Sequence, residues 1–367
     1  MTKIRFLALI VVLAFTSAVQ AADTAAQRLE AVVAAHPEFS GVILVADKGK
    51  PIFQAAKGQR NYVAGTAMAQ DSIFELASIT KQFTAMGVML LKEEGKLSYE
   101  DPLEKYVPGL PYTGITVRHL LNHTSGFPDY EAMMDKQWDK AKIATNKDII
   151  AYLKQYKPAA PAKPGEKYEY SNGGYVMLGS IIEAASGQEY ATFLRTRIFK
   201  PLGLSDTDVR APQDWDRISR MAVGHVIDKE TGKPVRAVDL KEVTYVVYLG
   251  GRVGPGRISS TAADLLKWDR ALGAGKLIKA SAMAEAYQPA KLNDGRPSAY
   301  GFGWMIPETD AALGKAVTHT GGNPGITNRI TRYLDQDKTV IILSNNAYKN
   351  SRELYEGLQS ALGGPQG

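Results

Sequence analysis

The sequence predicts an α/β protein of the α+β type, in which both ends of the chain build one antiparallel sheet. Apolar strand patterns occur near both ends, helical patterns dominate the middle, and an amphipathic helix flanks the strands at each end. A two-stranded hairpin alone is marginally stable in water. We therefore expect the N-terminal strands to pair with the C-terminal ones, with the two terminal helices covering the sheet.

The N-terminal region starts with an amphipathic helical pattern over residues 24–36. Two strand patterns follow, at residues 40–46 and 51–56, and turn-forming residues 47–50 separate them. The C-terminal region supplies four more strand patterns and a closing amphipathic helix, at residues 301–306, 315–319, 328–334, 339–344 and 351–362.

The middle of the chain has helical patterns at residues 83–94, 116–122, 147–156, 174–186 and 190–197. Gly95 and Gly187 stand where two of these helices should end. We therefore divide the chain into a sheet region, residues 22–80 and 255–367, and an inserted, mostly helical region, residues 81–254. The active site is expected between the two regions.

Residues 1–21 have the pattern of a secretory signal peptide. Lys3 and Arg5 precede an apolar run over residues 6–15, and small residues lead to a cleavage site after Ala21. The run is short for a membrane-spanning helix. We expect export across the inner membrane, a periplasmic location and no membrane anchor after cleavage. The chain has no cysteine, so the exported protein is held together by its core without disulfides.

Charge and composition exclude several classes of function. Without the two basic residues of the leader, 42 basic residues remain against 38 acidic ones, with no dense basic stretch, which argues against nucleic-acid binding. Five scattered histidines and no cysteine argue against a metal site, and we expect no cofactor. His119, His123 and Asp129 offer a triad, but no Gly-x-Ser-x-Gly sequence accompanies them.

Ser78 and Lys81 form the one serine–lysine pair in the chain separated by three residues. They precede an apolar helical run at residues 83–91, so both side chains should lie on the same side of a helix start. The helix dipole there disfavours an extra positive charge. An amine that loses its proton near neutral pH can activate a serine hydroxyl as a nucleophile.

Two further motifs supply partners for this pair. Residues 170–172, Tyr-Ser-Asn, precede a helix, and a phenol and a carboxamide can relay a proton and hold both a lysine and a substrate amide. Residues 319–322, His-Thr-Gly-Gly, end a predicted strand. Glycines there let a ligand approach the backbone closely, and a free N–H can stabilise an oxyanion.

The order and setting of these three motifs resemble the serine β-lactamase and penicillin-binding protein-like hydrolase family. The likeness is to the branch with class C β-lactamases, D,D-carboxypeptidases, D-aminopeptidases and related esterases, and it implies a β-lactamase/transpeptidase-like fold. It extends over residues 40–345. Three more segments carry it, at residues 120–126, 259–265 and 300–304.

The resemblance implies a role for each motif residue. Ser78 would attack a carbonyl and form an acyl-enzyme, and Lys81 and Tyr170 would share the base role, with the choice between them open. Backbone N–H groups of Ser78 and Gly322 would form the oxyanion hole. Asn172 would contact the substrate amide and the lysine. His319, Thr320 and Gly321 would line the substrate site, with His319 presenting a positive or hydrogen-bonding edge.

Two positions depart from parts of the family. His319 stands where β-lactamases usually have lysine, and Gly322 lacks a hydroxyl that commonly grips a substrate carboxylate. Arg252, Arg257 or Arg329 could replace that contact.

The expected function is that of a secreted D,D-carboxypeptidase or D-amino-acid peptidase-like enzyme acting on peptide amides. The alternatives are an esterase of the same fold or a weak β-lactamase, and least favoured is a non-catalytic β-lactam or muropeptide sensor. The expected ligand is a small molecule or short peptide, with peptidoglycan as one source. The oligomeric state is left open.

Overall fold

The N-terminal hairpin and the C-terminal strands form one five-stranded antiparallel sheet, as predicted. The structure is a computed structural model and describes residues 24–364. The strands are β1 (Gly41–Asp47), β2 (Lys50–Lys57), β3 (Gln59–Asn61), β4 (Thr66–Ala67), β5 (Phe74–Glu75), β6 (Asp208–Val209), β7 (His225–Ile227), β8 (Pro234–Arg236), β9 (Ile258–Ser260), β10 (Ala316–Asn323), β11 (Ile326–Tyr333) and β12 (Lys338–Ser344). The main sheet has the order β10-β11-β12-β1-β2, and Gly41 pairs with Ser344 where the two chain ends meet.

The seven predicted helices are present to within a few residues at each end. The helices are α1 (Ala25–Ala34), α2 (Thr80–Glu93), α3 (Val117–Leu121), α4 (Glu131–Gln137), α5 (Asn146–Tyr156), α6 (Asn172–Ser186), α7 (Tyr190–Leu194), α8 (Lys200–Leu202), α9 (Tyr245–Tyr248), α10 (Ala262–Gly273), α11 (Ala280–Ala286) and α12 (Ser351–Gly363). Of these, α4, α8, α9, α10 and α11 were not predicted. A π-helical turn, Arg195–Phe199, joins α7 to α8. Gly187 caps α6 with a φ of +71°, a backbone conformation that glycine adopts without strain.

Both faces of the sheet are buried, which explains the unbroken apolar run of β1. Ile43 and Val45 pack against the terminal helices α1 and α12. Val42 and Leu44 point to the opposite face and join the core that contains α2, α6 and α10. The expectation that the two terminal helices cover the sheet is therefore correct for one face, whereas α10 and the inner helices cover the other.

The strand predicted at residues 301–306 is wrong. This segment makes isolated bridges from Met305 to Tyr300 and to Thr318, without a continuous ladder. Its glycines serve close packing instead, because a Cβ at Gly301 would lie 2.1 Å from the carbonyl oxygen of Ala286. The backbone of this segment therefore lies directly against other backbone, an approach that larger residues would prevent.

Helix α2 crosses the centre of the molecule, and its residues 80–91 are all buried. Phe83 stacks on Trp268 of α10 with the ring centroids 4.3 Å apart. α2 also packs closely on α6, because Gly87 leaves room for the side chain of Ile182. Burial of each large apolar side chain stabilises this arrangement by roughly 1.5–3 kcal/mol. The N-terminus of α2 is thereby fixed next to the N-terminus of α6, where two of the three motifs lie.

Within residues 24–364, no helix is both long and apolar enough to span a bilayer. The predicted signal peptide, residues 1–21, lies outside the described residues.

Candidate active site

Ser78 lies in a 3-10 turn, Ala77–Ile79, that leads directly into α2. The residue before it, Ala77, has a φ of +48°, in the left-handed region. For a residue with a Cβ this conformation costs roughly 1–2 kcal/mol. Strain of this kind persists where surrounding packing fixes it, and Ala77 is buried at 3% exposure. The tight turn leaves the Ser78 side chain at a half-buried position at the start of the helix.

Lys81 is buried completely, and its amine lies among three oxygen atoms. Nζ is 3.0 Å from Ser78 Oγ, 3.0 Å from Asn172 Oδ1 and 3.1 Å from the carbonyl oxygen of Pro255. The amide and carbonyl oxygens can only accept hydrogen bonds. A neutral amine has two N–H groups for them and one lone pair, which is left facing the Ser78 hydroxyl.

The surroundings favour this neutral amine. Burial lowers the pKa of Lys81 well below its ordinary value of 10.5, and the nearby Arg252 cation lowers it further. The Glu131 carboxylate acts in the opposite direction but does not reverse the effect. The sequence left the base role open between Lys81 and Tyr170, and these contacts favour Lys81.

Tyr170 is brought to the same centre, with its ring 4.8 Å from Lys81 Nζ. The residue as a whole is 37% exposed, yet burial of its hydroxyl end raises the pKa well above 10, and a hydrogen bond with Ser78 only partly offsets this. The hydroxyl is therefore protonated at neutral pH. It can pass a proton on, but it is a poor first base.

Asn172 joins Lys81 to the acidic side of the site. It is the first residue of α6, whose N-cap Ser171 accepts a hydrogen bond from the Gly174 N–H at 3.0 Å. Asn172 Oδ1 faces Lys81, and its Nδ2 donates to Glu131 Oε1 at 3.4 Å. Glu131 is the first residue of α4 and its side chain is 31% exposed, so its carboxylate borders the site.

His123 has a larger part in this geometry than the sequence indicated. The sequence offered it as a member of a triad with His119 and Asp129. In the structure its Nδ1 accepts the Ser171 N–H at 3.0 Å, and its carbonyl accepts the Glu169 N–H at 2.8 Å. Its ring lies against that of Tyr170, with centroids 4.3 Å apart. His123 therefore holds the segment that carries Tyr170 and Asn172, and the local signal for it was the motif at residues 120–126.

His319 lies next to this centre and carries no positive charge, so of the two possibilities that the resemblance allowed, a positive or a hydrogen-bonding edge, the structure favours the second. It is buried completely, and this burial lowers its pKa to about 3. Nδ1 lies 2.6 Å from the Thr320 carbonyl oxygen, which can only accept, so Nδ1 carries the proton. Nε2 then accepts from the Tyr300 hydroxyl at 2.7 Å. Both ring nitrogens are engaged inside the protein.

The edge strand β10 passes directly beside the turn that carries Ser78. A Cβ at Gly321 would lie 2.1 Å from the carbonyl oxygen of Leu76, so this approach requires glycine. Thr318 exchanges both backbone hydrogen bonds with Met305, on the side away from β11. Because backbone groups alternate along a strand, the N–H groups of residues 320 and 322 point to that same side.

Gly322 is well placed for the oxyanion role that the resemblance implies. It is exposed, and no atom lies within 4 Å of the position of a Cβ there. Thr320 is half-buried and Gly321 is buried. Of the three predicted lining residues, Thr320 therefore offers the exposed polar surface, while His319 and Gly321 support the strand from within.

The three arginines considered for a substrate carboxylate are all engaged elsewhere. Arg252 forms an ion pair with Glu131, and Arg257 with Glu75, and the arginine side chains are 9% and 2% exposed. The guanidinium of Arg329 lies 4.1 Å from a tyrosine ring of α12. Arg252 and Arg257 are therefore paired with carboxylates inside the protein, whereas Arg329 is held against that ring.

Metal-ligand chemistry is not part of the described site. Residues 24–364 contain no group of three or more histidine, aspartate or glutamate side chains that could hold a metal ion. His119 and His123 have a four-residue spacing, but their Nδ1 atoms accept backbone N–H groups of Thr116 and Ser171.

An antiparallel sheet beside a helical layer, with a serine and a buried lysine one helical turn apart, defines a serine hydrolase of the penicillin-binding and β-lactamase type. A family model described as Beta-lactamase matches residues 26–363, and the chain belongs to that family.

The chain is similar to several named proteins. Penicillin-binding protein 4* of Bacillus subtilis (strain 168) is 41% identical over 309 residues, which are 84% of this chain and 68% of that protein. The D-aminopeptidase of Brucella anthropi is 28% identical over 305 residues, 82% of this chain and 55% of that protein. The crystal structure of the D-amino acid amidase of Ochrobactrum anthropi SV3 complexed with L-phenylalanine amide is similar with a TM-score of 0.74. It is 26% identical, over 91% of this chain and 97% of that one.

Proposed function

We propose that this serine hydrolase cleaves amide bonds of D-amino-acid peptides or amides through an acyl-enzyme on Ser78. The observation that carries the proposal is the set of contacts of the Lys81 amine. Nζ lies 3.0 and 3.1 Å from two acceptor-only oxygens and 3.0 Å from Ser78 Oγ, so the neutral amine, with its two N–H groups donated to those oxygens, directs its lone pair at the Ser78 hydroxyl. A lysine held in this way is a base already aimed at the nucleophile.

Acylation follows from this arrangement. The Ser78 proton passes to Lys81 Nζ as Oγ attacks the substrate carbonyl carbon. The backbone N–H groups of Ser78 and Gly322 receive the developing oxyanion, and in other enzymes the loss of one such donor costs about 3 kcal/mol of barrier. The proton then reaches the leaving nitrogen through Lys81 and the Tyr170 hydroxyl, and the C–N bond breaks.

Deacylation reverses these roles with water as the nucleophile. Lys81, again neutral, takes a proton from water, whose oxygen attacks the ester carbonyl of the acyl-enzyme. Ser78 leaves with that proton and the acid product is released. Tyr170 does not need to ionise in either half of the reaction, in agreement with its raised pKa.

The charges around the site favour a substrate with a free amine over one with a free carboxylate. A D,D-carboxypeptidase substrate ends in a carboxylate, and two of the three candidate arginines, Arg252 and Arg257, are already paired with carboxylates, while Arg329 lies against a tyrosine ring of α12. Glu131 instead places a partly exposed carboxylate beside Asn172. The names of two relatives, a D-aminopeptidase and a D-amino acid amidase, fit this preference. We therefore place amino-terminal D-residue substrates ahead of D,D-carboxypeptidase substrates.

We also propose that the enzyme acts after export, in the periplasm, on short peptides that include peptidoglycan fragments. The support for export is the pattern of residues 1–21. N-terminal sequencing of the protein recovered from the periplasm should begin at Ala22. An unprocessed N-terminus in the cytoplasm would contradict this proposal.

The test of the nucleophile is a fluorophosphonate or a fluorescent penicillin followed by peptide mass spectrometry. We expect the mass of the probe on the peptide that contains Ser78, and no labelling of Ser78→Ala. Equal labelling of that variant, or an unlabelled wild type, would show that Ser78 is not the nucleophile.

The test of the substrate class compares D-alanine amide with its N-acetylated form, a D-Ala-D-Ala peptide, p-nitrophenyl acetate and nitrocefin. We expect Glu131→Gln to raise KM for the free amine and to leave the N-acetylated amide nearly unchanged. Asp135→Asn on the same helix, whose carboxylate pairs with Lys140 at 2.7 Å, is the matched control. Cleavage of the ester alone would instead make the enzyme an esterase.

A further inference from the structure

Glu75 is a fully buried carboxylate three residues before Ser78, and the catalytic steps above do not use it. Its exposed fraction is 1%. Burial of a charge is costly unless partners compensate for it. Glu75 Oε1 accepts from Arg257 Nη1 at 3.2 Å and from Asn323 Nδ2 at 2.9 Å. The Glu75 carbonyl oxygen accepts from Asn328 Nδ2 at 2.7 Å.

These partners belong to separate segments that each carry a part of the site. Asn323 directly follows Gly322 at the end of β10. Arg257 comes two residues after Pro255, whose carbonyl oxygen holds Lys81. Glu75 itself belongs to β5, just before the turn with Ser78. One carboxylate therefore ties the strand end with the oxyanion donor to the segment that anchors the base.

The tie acts where the backbone is strained. Ala77 and Arg257 have φ values of +48° and +84°, and neither is glycine. Such conformations persist when surrounding contacts fix them. Arg257 also donates to the carbonyl oxygens of Val246 and Leu249, at 2.8 and 3.2 Å, so the guanidinium cannot turn away from Glu75 without losing both.

Solvent has little room to replace these contacts. Glu75, Trp215 and Asn323 line a small cavity of about 10 Å³, bounded mainly by apolar side chains. A cavity of this size holds about one water molecule. A change at Glu75 or Asn323 must therefore be absorbed mainly by movement of the surrounding chain.

We propose that Glu75 is a positioning residue for the oxyanion hole. Through its hydrogen bond with Asn323, Glu75 holds the neighbouring Gly322 amide in place against Ser78. The inference rests on the proposed acylation of Ser78. Removal of the link releases the end of β10 and leaves Ser78, Lys81 and Tyr170 in place. Misplacement of a catalytic group by about 1 Å costs up to about 100-fold in rate.

Phenylboronic acid measures this effect directly. The Ser78 oxygen adds to boron, the Ser78 proton passes to Lys81, and a boron-bound oxygen occupies the oxyanion hole. For Asn323→Ala we expect the boronate Kd to rise about tenfold and kcat/KM for p-nitrophenyl acetate to fall by the same factor, with KM little changed. Asn323→Asp sets a second carboxylate against Glu75 and should have the larger effect. Glu75→Gln, which keeps the shape without the charge, should act in the same direction.

The control is Asn346→Ala, because Asn346 also follows a sheet strand and donates to a backbone carbonyl, that of Glu38, at 2.8 Å. Asn346→Ala should change neither the boronate Kd nor kcat/KM for p-nitrophenyl acetate. A merely structural role of Glu75 would lower the fraction of enzyme that a fluorophosphonate can label, while the active fraction, measured in a separate unlabelled sample, keeps the wild-type boronate Kd.

If Asn323→Ala has the wild-type boronate Kd and kcat/KM, and the wild type labels fully with fluorophosphonate, the inference about Glu75 is overturned and the proposed function is not. A wild type that neither labels nor binds the boronate would overturn the proposed function and this inference with it. Because Asn323 is half-buried, its variants keep the test open even if Glu75→Gln does not fold.

Discussion

Replacement of Gly321 by alanine tests the placement of the oxyanion strand most directly. The new Cβ would lie 2.1 Å from the Leu76 carbonyl oxygen, and real Cβ atoms keep at least 3.0 Å, so β10 must move by about 0.9 Å. The atom in the way is backbone of the turn that carries Ser78, which cannot swing aside. A shift of about 1 Å between catalytic groups costs up to about 100-fold, or about 2.7 kcal/mol.

The assay is kcat/KM with an amide and with p-nitrophenyl acetate, normalised to active enzyme by fluorophosphonate titration. We expect Gly321→Ala to lose about 100-fold on both substrates, because both reactions use the same oxyanion hole. Gly174→Ala is the control, since its Cβ would find ordinary contacts of 3.6 Å or more in α6. Wild-type activity in Gly321→Ala would refute the placement of β10 against Leu76.

Four further predictions concern the base and its supports. Lys81→Met should fold, because methionine replaces the buried stem of lysine with a similar apolar volume. It should react with fluorophosphonate at least about 100-fold more slowly than the wild type. Labelling at the wild-type rate would remove Lys81 from the mechanism. Because the pKa of Lys81 is lowered, its amine is neutral above that depressed value and activity should fall as pH drops through it. Tyr170→Phe should slow the reaction without moving this acidic limb, since the pKa of Tyr170 is raised, and a shifted limb would contradict us. In His123→Asn, asparagine tolerates the φ of +59° at that position, but the ring that lies against Tyr170 is lost. We expect acylation to be slower, although the enzyme still labels completely with fluorophosphonate. The control His119→Asn should lower thermal stability alone.

The sheet was predictable because its signal is local. Each face of β1 is buried, so the strand reads as a continuous apolar run, and a hairpin with two apolar faces needs partners. The C-terminal strands were the available partners, and the pairing of Gly41 with Ser344 confirms that choice.

The error at residues 301–306 shows where local patterns fail. Glycines that alternate with aromatic residues match a strand, but Gly301 and Gly303 are there for close approach to other backbone. A Cβ at Gly303 would lie 2.8 Å from the Lys81 carbonyl oxygen, which belongs to a segment more than 200 residues away. No property of the segment itself distinguishes this use of glycine from a strand.

The motif residues of the site could be found because their signal, unlike that of these glycines, is contained in the local sequence. Ser78 and Lys81 are one helical turn apart, so their spacing alone sets their geometry. Glu131 and Arg252 act on the same lysine but have no fixed spacing from it and no motif of their own. Sequence reasoning could name the reacting groups and could not name the charges that tune them.

Those charges connect reactivity with substrate choice. Arg252 lowers the pKa of Lys81 and Glu131 raises it, while their mutual ion pair cancels much of the field that either would exert alone. Glu131 is also the partly exposed carboxylate to which we assign a substrate ammonium. When an ammonium binds there, it adds a second positive charge near Lys81, which lowers the pKa of the amine further and keeps it a base. A substrate carboxylate at the same place would act in the reverse direction and favour the protonated, inactive lysine. If the proposed preference for a free amine holds, we expect the pair to select between substrates twice, once by direct attraction and once through the protonation state of the base.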